Sequence, residues 1–365
     1  MRALGISIYP SHSDPAKDKA YLEKAAALGY TRIFTSMLEL DGDRQEARNK
    51  YQEVIEFGNR LGMKTTLDIN PGLFEQLGVS YDDLGFFHEM GAAGIRLDLG
   101  FDGKKEALMT KNPYGLHIEV NMSSGTKYID NVMSYGPDTD RLIASHNFYP
   151  MRYSGLSRDH FMKTTQQYQN YYLNTAAFIT SQTGQLGPWP VQAGLCTLEE
   201  HRTLPLAIQI THMRELGGIS DIIIGNAYAS DEELKAAAEA FFSPHLQIPI
   251  HIHEQATALE RQLLLEELHA YRGDRSAYMI RSSMTRVKFK DHNFPIGHIP
   301  HHIQPGDLLI GNNAFGQYKG ETQIALLPME QEGQLNVVGH IDEMAMALIQ
   351  DMPPFSTFEL YHANA

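Results

Sequence analysis

The chain has 365 residues, 42% hydrophobic and 20% charged, a globular mixture long enough for one large core and a second small one. Its formal net charge of -14 excludes an extended nucleic-acid or anionic-membrane surface as the main partner. Such surfaces need clustered Lys and Arg, whereas one small anion needs only a few local arginines. Cys196 is the one cysteine, so no intrachain disulfide forms; no run approaches transmembrane length, and MRALGISIYP lacks the parts of a signal peptide. A cytoplasmic protein is expected.

From residue 4 onward, short apolar runs alternate with helix-like segments. LGISIYP reads as a strand, and Asp14-Pro15 then offers an N-cap and a first-turn proline to a helix that Gly29 ends. TRIFTSM follows, then a helix from about Arg44 to Leu61, the strand KTTLDIN, a helix around Tyr81 to Met90 and the strand GIRLDLG. GLHIEVN, a segment near Lys127 to Tyr135, LIASHNFYP, a helix around Asp159 to Tyr172 and NTAAFIT continue the rhythm. After the Gly/Pro loop GQLGPWPVQAGLC, Thr197 to Glu200 has the pattern of a capping box opening a helix. DIIIGNAYAS closes the series, with a second capping box from Ser230 and Glu233.

Eight βα units in roughly 240 residues predict an α/β fold of the TIM barrel type. An open doubly wound sheet is the rival, yet no Gly-x-Gly-x-x-Gly follows the first strand. Polar residues gather at strand ends, where a barrel keeps its active site: Tyr9, Asp68, Asn70, Asp98, Glu119, Asn121, His146, Asn147 and Asn226. Past Pro244 the pattern changes. A helix is expected within Glu254 to Tyr271, and turn signals then separate β-prone runs such as YMIRSS, DLLIGN and TQIALLP. Residues 1–244 and 245–365 are therefore read as a barrel and a small, mostly β domain.

Taken together, GISIYP, YTRIFTSML, LDINP, GIRLDLGF, HNFYP, GPWPVQAGLCTLEEHR and DIIIGNAYAS, with GDLLIGNNAFGQYKGETQIAL and NVVGHID, resemble one bacterial family. It was once described only as a domain of unknown function or "outer surface protein" and is now associated with 6-phospho-N-acetylmuramidase. The resemblance spans almost the whole chain and implies a TIM barrel followed by a small cyclophilin-like β-barrel domain. It further implies a phosphorylated amino-sugar disaccharide as partner: the bond between 6-phospho-N-acetylmuramic acid and N-acetylglucosamine would be hydrolysed during peptidoglycan recycling. No cofactor is expected, and self-association is left open.

Residue roles are read from the strand ends. Glycoside hydrolysis uses one carboxylic acid and one carboxylate nucleophile or base. Ile95, Leu97 and Leu99 alternate with Arg96 and Asp98, and Ile118 and Val120 with His117, Glu119 and Asn121. Asp98 and Glu119, on consecutive strands about 5 Å apart, are expected to be the pair, spaced by the ~5 to 5.5 Å of a retaining enzyme. Asp68 competes for one of the two roles, with a turn acceptor as its plainer reading. Substrate contacts are expected from Tyr9, Asn70, Arg96, Asn121, His146, Asn147, Tyr149, Glu199, Arg202, Asn226 and Arg281. Arg96 is equally a structural partner of Asp98, and His146 equally a hydrogen-bonded strut. Phosphate is expected at Gly225 to Tyr228 and the start of the Ser230 helix, with Arg152, Arg202, Arg281 and Arg286 as further candidates. Among the 17 histidines, His251-x-His253 and His298 with His301-His302 lack the spacing of a zinc site, so no metal is assigned. Two other classes fit the same barrel: a metal-dependent isomerase, aldolase or deacetylase, and a non-catalytic sugar-phosphate sensor.

Overall fold

A computed structural model describes residues 2–38, 44–189 and 193–363. Pro190, Val191 and Gln192 of the Gly/Pro loop lie outside the described residues. The chain divides into two compact units, Met1–Met213 with Gly217–Phe241, and Arg214–Leu216 with Phe242–Ala365.

The first unit is a TIM barrel. Strands β1 (Ala3–Ser7), β2 (Arg32–Ser36), β3 (Lys64–Ile69), β4 (Gly94–Leu97), β5 (His117–Asn121), β6 (Leu142–Ser145), β7 (Asn174–Ile179) and β8 (Asp221–Ile224) pair in parallel, in sequence order, and β8 closes on β1. Local chemistry explains the connections. The helix Pro15–Ala27 starts where the Asp14 side chain accepts from Ala16 N and Lys17 N, and Gly29 just beyond it takes φ +89. Asn70 caps an additional short helix, Pro71–Leu77, by accepting from Leu73 N at 2.9 Å.

Thr197 does not open a helix as expected. Its hydroxyl donates to Asn147 O and accepts from Phe178 N, Glu200 binds Arg158, and only the 3-10 turn Glu199–His201 forms before the helix Leu206–Leu216. Long-range partners outcompete the local cap.

Strand alternation divides the barrel side chains into two sets. Ile95, Leu97 and Ile118 point outward and pack with Phe74, Phe87 and Met90 under the helices. On the inner face, Phe34, Phe178 and Ile223 form an aromatic and aliphatic half with Tyr9 and Phe148. Arg32, Asp68, Arg96 and Glu119, all buried, form the other half. Buried charges persist only when paired, and these are arranged in pairs.

The second unit is mostly β. Its seven-stranded sheet runs His269–Ala270, Thr357–His362, Leu246–Ile252, Leu335–Ile341, Asp307–Gly311, Thr322–Ala325, Met279–Ser282. The helix Ala258–Leu265 is opened by a capping box of Thr257 and Glu260. No helix among the described residues is long and apolar enough to cross a membrane.

Candidate active site

Arg96 is the hub of the charged half. Parity on β4 turns its side chain into the barrel, where Nε donates to Ser145 Oγ at 2.8 Å, Nη1 to Asp68 Oδ1 at 2.5 Å, and Nη2 to Asn147 Oδ1. The same Nη1 lies 3.5 Å from Asp98 Oδ1. The contacts of 2.5 and 3.5 Å to one nitrogen sum to 6.0 Å, the most that can separate the two carboxylate oxygens. Asp68, Arg96, Asp98, Asn147 and Tyr149 line a cavity of about 440 Å³, walled by Phe148 and Trp189 with ring centroids 5.8 Å apart. The carboxyls differ in surroundings: Asp68 is buried, whereas the Asp98 side chain is 34% exposed.

Burial pushes the Asp68 carboxyl up to about 7, against the pull of Arg96 and with the push of Asp98 and Glu119. The local negative charges add to that rise: among the described residues, the four carboxylates Asp68, Asp98, Glu119 and Asp221 pair with two cations, Arg32 and Arg96.

Glu119 is not beside Asp98. The β4–β5 register sets Arg96 opposite Glu119, so Asp98 comes level with Asn121, whose Nδ2 donates to Asp98 O at 3.2 Å. Glu119 therefore sits one two-residue step deeper, roughly 6.6 Å along the strand. Only 1% exposed, it accepts at Oε2 from Arg32 Nη2, and Arg32 also holds Asp221 at 2.5 Å, while Oε1 has no hydrogen-bond partner among the described residues. The expected Asp98–Glu119 pair is replaced at the cavity by Asp68 and Asp98. Arg32, which sequence reasoning passed over, carried a signal: in TRIFTSM it shares a face with Phe34 and Ser36, as Arg96 does with Asp98.

Other expected contacts are committed elsewhere. Tyr9 is buried and its hydroxyl donates to Gly225 O. Asn70 is an N-cap, and Asn121 bridges Ser123 N and Asp98 O. His146 is a strut between Thr165 and Ser123, its ring on Phe161; burial pulls it down to about 3. Asn226 spends its amide on Thr180, Ser181 and Gly184. Glu233, in the first turn of the helix Asp231–Phe242, already receives Gln182 N at 2.7 Å and the Ser181 and Thr183 hydroxyls, so a carboxylate fills the place expected for phosphate. Arg202 and Glu199 bind each other through Nε and Nη2, at 2.7 and 2.6 Å. In the second unit, Arg281 and Arg286 both contact the fully buried Glu321, at 2.7 and 3.3 Å. Asn147 and Tyr149 do reach the cavity. Tyr149 N donates to Cys196 O at 3.0 Å, and burial pushes the Cys196 thiol up to about 11. Among the described residues, no group of three or more His, Cys, Asp or Glu is placed to hold a metal ion.

Two family models match nearly the whole chain. The family model described as "6-phospho-N-acetylmuramidase, N-terminal" matches residues 4–239, and "6-phospho-N-acetylmuramidase, C-terminal" matches residues 246–361. A crystal structure of a B. cereus protein described as uncharacterized is 42% identical, with 99% of each chain covered and a TM-score of 0.89. A conserved Enterococcus faecalis protein, described as of unknown function, is 21% identical over 99% of this chain and 97% of its own, with a TM-score of 0.76, and shows the shared fold. No curated protein matches the chain.

Proposed function

The chain belongs to the 6-phospho-N-acetylmuramidase family and is a glycosidase, and on that premise we propose that it hydrolyses 6-phospho-N-acetylmuramyl-N-acetylglucosamine in cytoplasmic peptidoglycan recycling. The observation that carries the roles is one guanidinium touching two unlike carboxyls at one cavity. Asp68, held up to about 7, carries a proton in about half of the molecules at neutral pH and is the general acid. Asp98, partly exposed beside Arg96, is the nucleophile.

In the first step the C1–O bond breaks as Asp68 protonates the leaving oxygen of N-acetylglucosamine, and an Asp98 oxygen bonds to C1. In the second, water attacks C1, Asp68 takes its proton, and the Asp98 ester breaks to release 6-phospho-N-acetylmuramic acid. Asp68 Oδ1 and Asp98 Oδ1 lie no more than 6.0 Å apart, a spacing compatible with the roughly 5 to 5.5 Å between the carboxyls of retaining enzymes.

With a chromogenic 6-phospho-N-acetylmuramyl glycoside, Asp68→Asn is expected to lower kcat by about 10² to 10⁴. Asp98→Ala is expected to regain turnover with azide, giving a glycosyl azide. NMR of the first-formed sugar should show retained configuration, and wild-type activity should persist in EDTA, which a metal-dependent isomerase, aldolase or deacetylase would not allow. Near-normal rates in both variants would overturn the assignment.

A further inference from the structure

A second cavity of the first unit, about 660 Å³, is lined by the segment after β6 and the loops after β7 and β8. Its charges mostly cancel. Glu199 Oε1 accepts from Arg202 Nε and Tyr153 N, at 2.7 and 2.8 Å, while Oε2 accepts from Arg202 Nη2 and Gly155 N, at 2.6 and 2.7 Å. Glu200 is matched by Arg158 at 2.5 Å. Arg152 is left over: it lines the cavity, is exposed, and makes no hydrogen bond or ion pair among the described residues.

The backbone beside it is strained in a way that packing does not explain. Tyr153 takes φ 67, a region that side chains other than glycine rarely adopt, yet its ring is 88% exposed. The Glu199 carboxylate holds this segment through the Tyr153 and Gly155 amides. Gly155 is needed for the grip, because a Cβ there would stand 2.7 Å from Glu199 N and Oε2. The clamp leaves Arg152 and Tyr153 exposed beside the cavity.

We propose that Arg152 and Tyr153 form the subsite for the 6-phosphate of the sugar: Arg152 pairs with the phosphate monoester and Tyr153 covers the adjoining face of the pyranose. The inference rests on the reading of the substrate above. Arg is suited to the role because its planar fork matches phosphate oxygens, and a ring face suits the apolar side of a sugar. Reach is also right. Tyr149 lines the carboxylate cavity and Arg152 the larger one. Three peptide links put their Cα atoms at most about 11 Å apart, which a hexose 6-phosphate plus an arginine side chain spans. Arg202 Nη1 ties the two walls by donating to Tyr149 O and Ala193 O, each at 2.9 Å. Phosphate would then sit after β6 and not at the Ser230 helix.

The test compares wild type with Arg152→Ala and Arg152→Lys, on glycosides with and without the 6-phosphate and by calorimetric binding of 6-phospho-N-acetylmuramic acid and N-acetylmuramic acid. In Arg152→Ala the ratio of kcat/KM for phosphorylated over unphosphorylated glycoside should fall ~10- to 100-fold, through KM, since a charge-assisted pair is lost. Lysine should restore part of it. A ratio left at the wild-type value, or a wild type that binds the phosphorylated sugar no better than the plain one, overturns the subsite. If wild type turns over neither glycoside, the glycosidase roles fail, and the binding arm still decides this inference: preference for the phosphorylated sugar, lost in Arg152→Ala, upholds it.

Discussion

Arg96 organises its carboxyls by being unable to leave them: buried, and bonded at Nε and both terminal nitrogens, it fixes Asp68 and Asp98 at one edge. The neutral form of Asp68 is present below about pH 7 and lost as pH rises through that value, so kcat/KM should fall along that limb. Glu119 acts here through charge, as one of the groups that raise Asp68. Glu119→Gln removes that push, and the basic limb is expected to move to lower pH. An unmoved limb would break the coupling. Breaking the Arg32 pair should also cost up to about 3 kcal/mol in denaturant melts. Much at this scale was legible: alternation alone marked Arg96, Asp98 and Glu119 as an unusual inner face. It did not give the register between strands. β4 ends at Leu97, Leu99 stands 64% exposed, and the pairing of Arg96 with Glu119 follows from barrel closure, which no single strand records.

Among the elements, the strands were readable because their apolar runs are short and bounded by Gly, Pro and Asp, and Asp14-Pro15 marked its helix start for a local reason. The segments after the strands were not. Glu199, Glu200, Arg202 and Glu233 looked like cap residues or free contacts, yet each finds its partner 3 to 52 residues away in neighbouring segments or within its own turn. Such charge pairing depends on which loops meet, so a local pattern is silent about it. Gly155 shows how finely the β6 segment is fitted. Gly155→Ala should push Glu199 off the Tyr153 and Gly155 amides and cost about 1 to 3 kcal/mol by overpacking. A thermal melt checks the loss, and an unchanged melting temperature would show that the clamp yields freely.

Across the whole molecule, stability carries one concealed pH term. Glu215 is 8% exposed, neither carboxyl oxygen has a partner among the described residues, and burial pushes it up to about 9, with Asp351 adding to the rise. A carboxyl raised in the folded state lends its full stability below the unfolded value near 4.5, and loses it as pH climbs toward 9. Glu215→Gln should therefore gain on wild type between pH 5.5 and 8.5, by ~1 to 3 kcal/mol. Parallel melting curves at the two pH values would refute it. The sequence pattern changes past Pro244, whereas an orphaned acid is a property of the folded interior. Cys196 adds a different kind of handle. Its carbonyl holds Tyr149 N beside the carboxylate cavity, its thiol is buried, and the chain has no second one. A thiol reagent reaches it only when the structure around it opens, so the labelling rate, with and without sugar, tests whether substrate steadies this wall without any engineered probe.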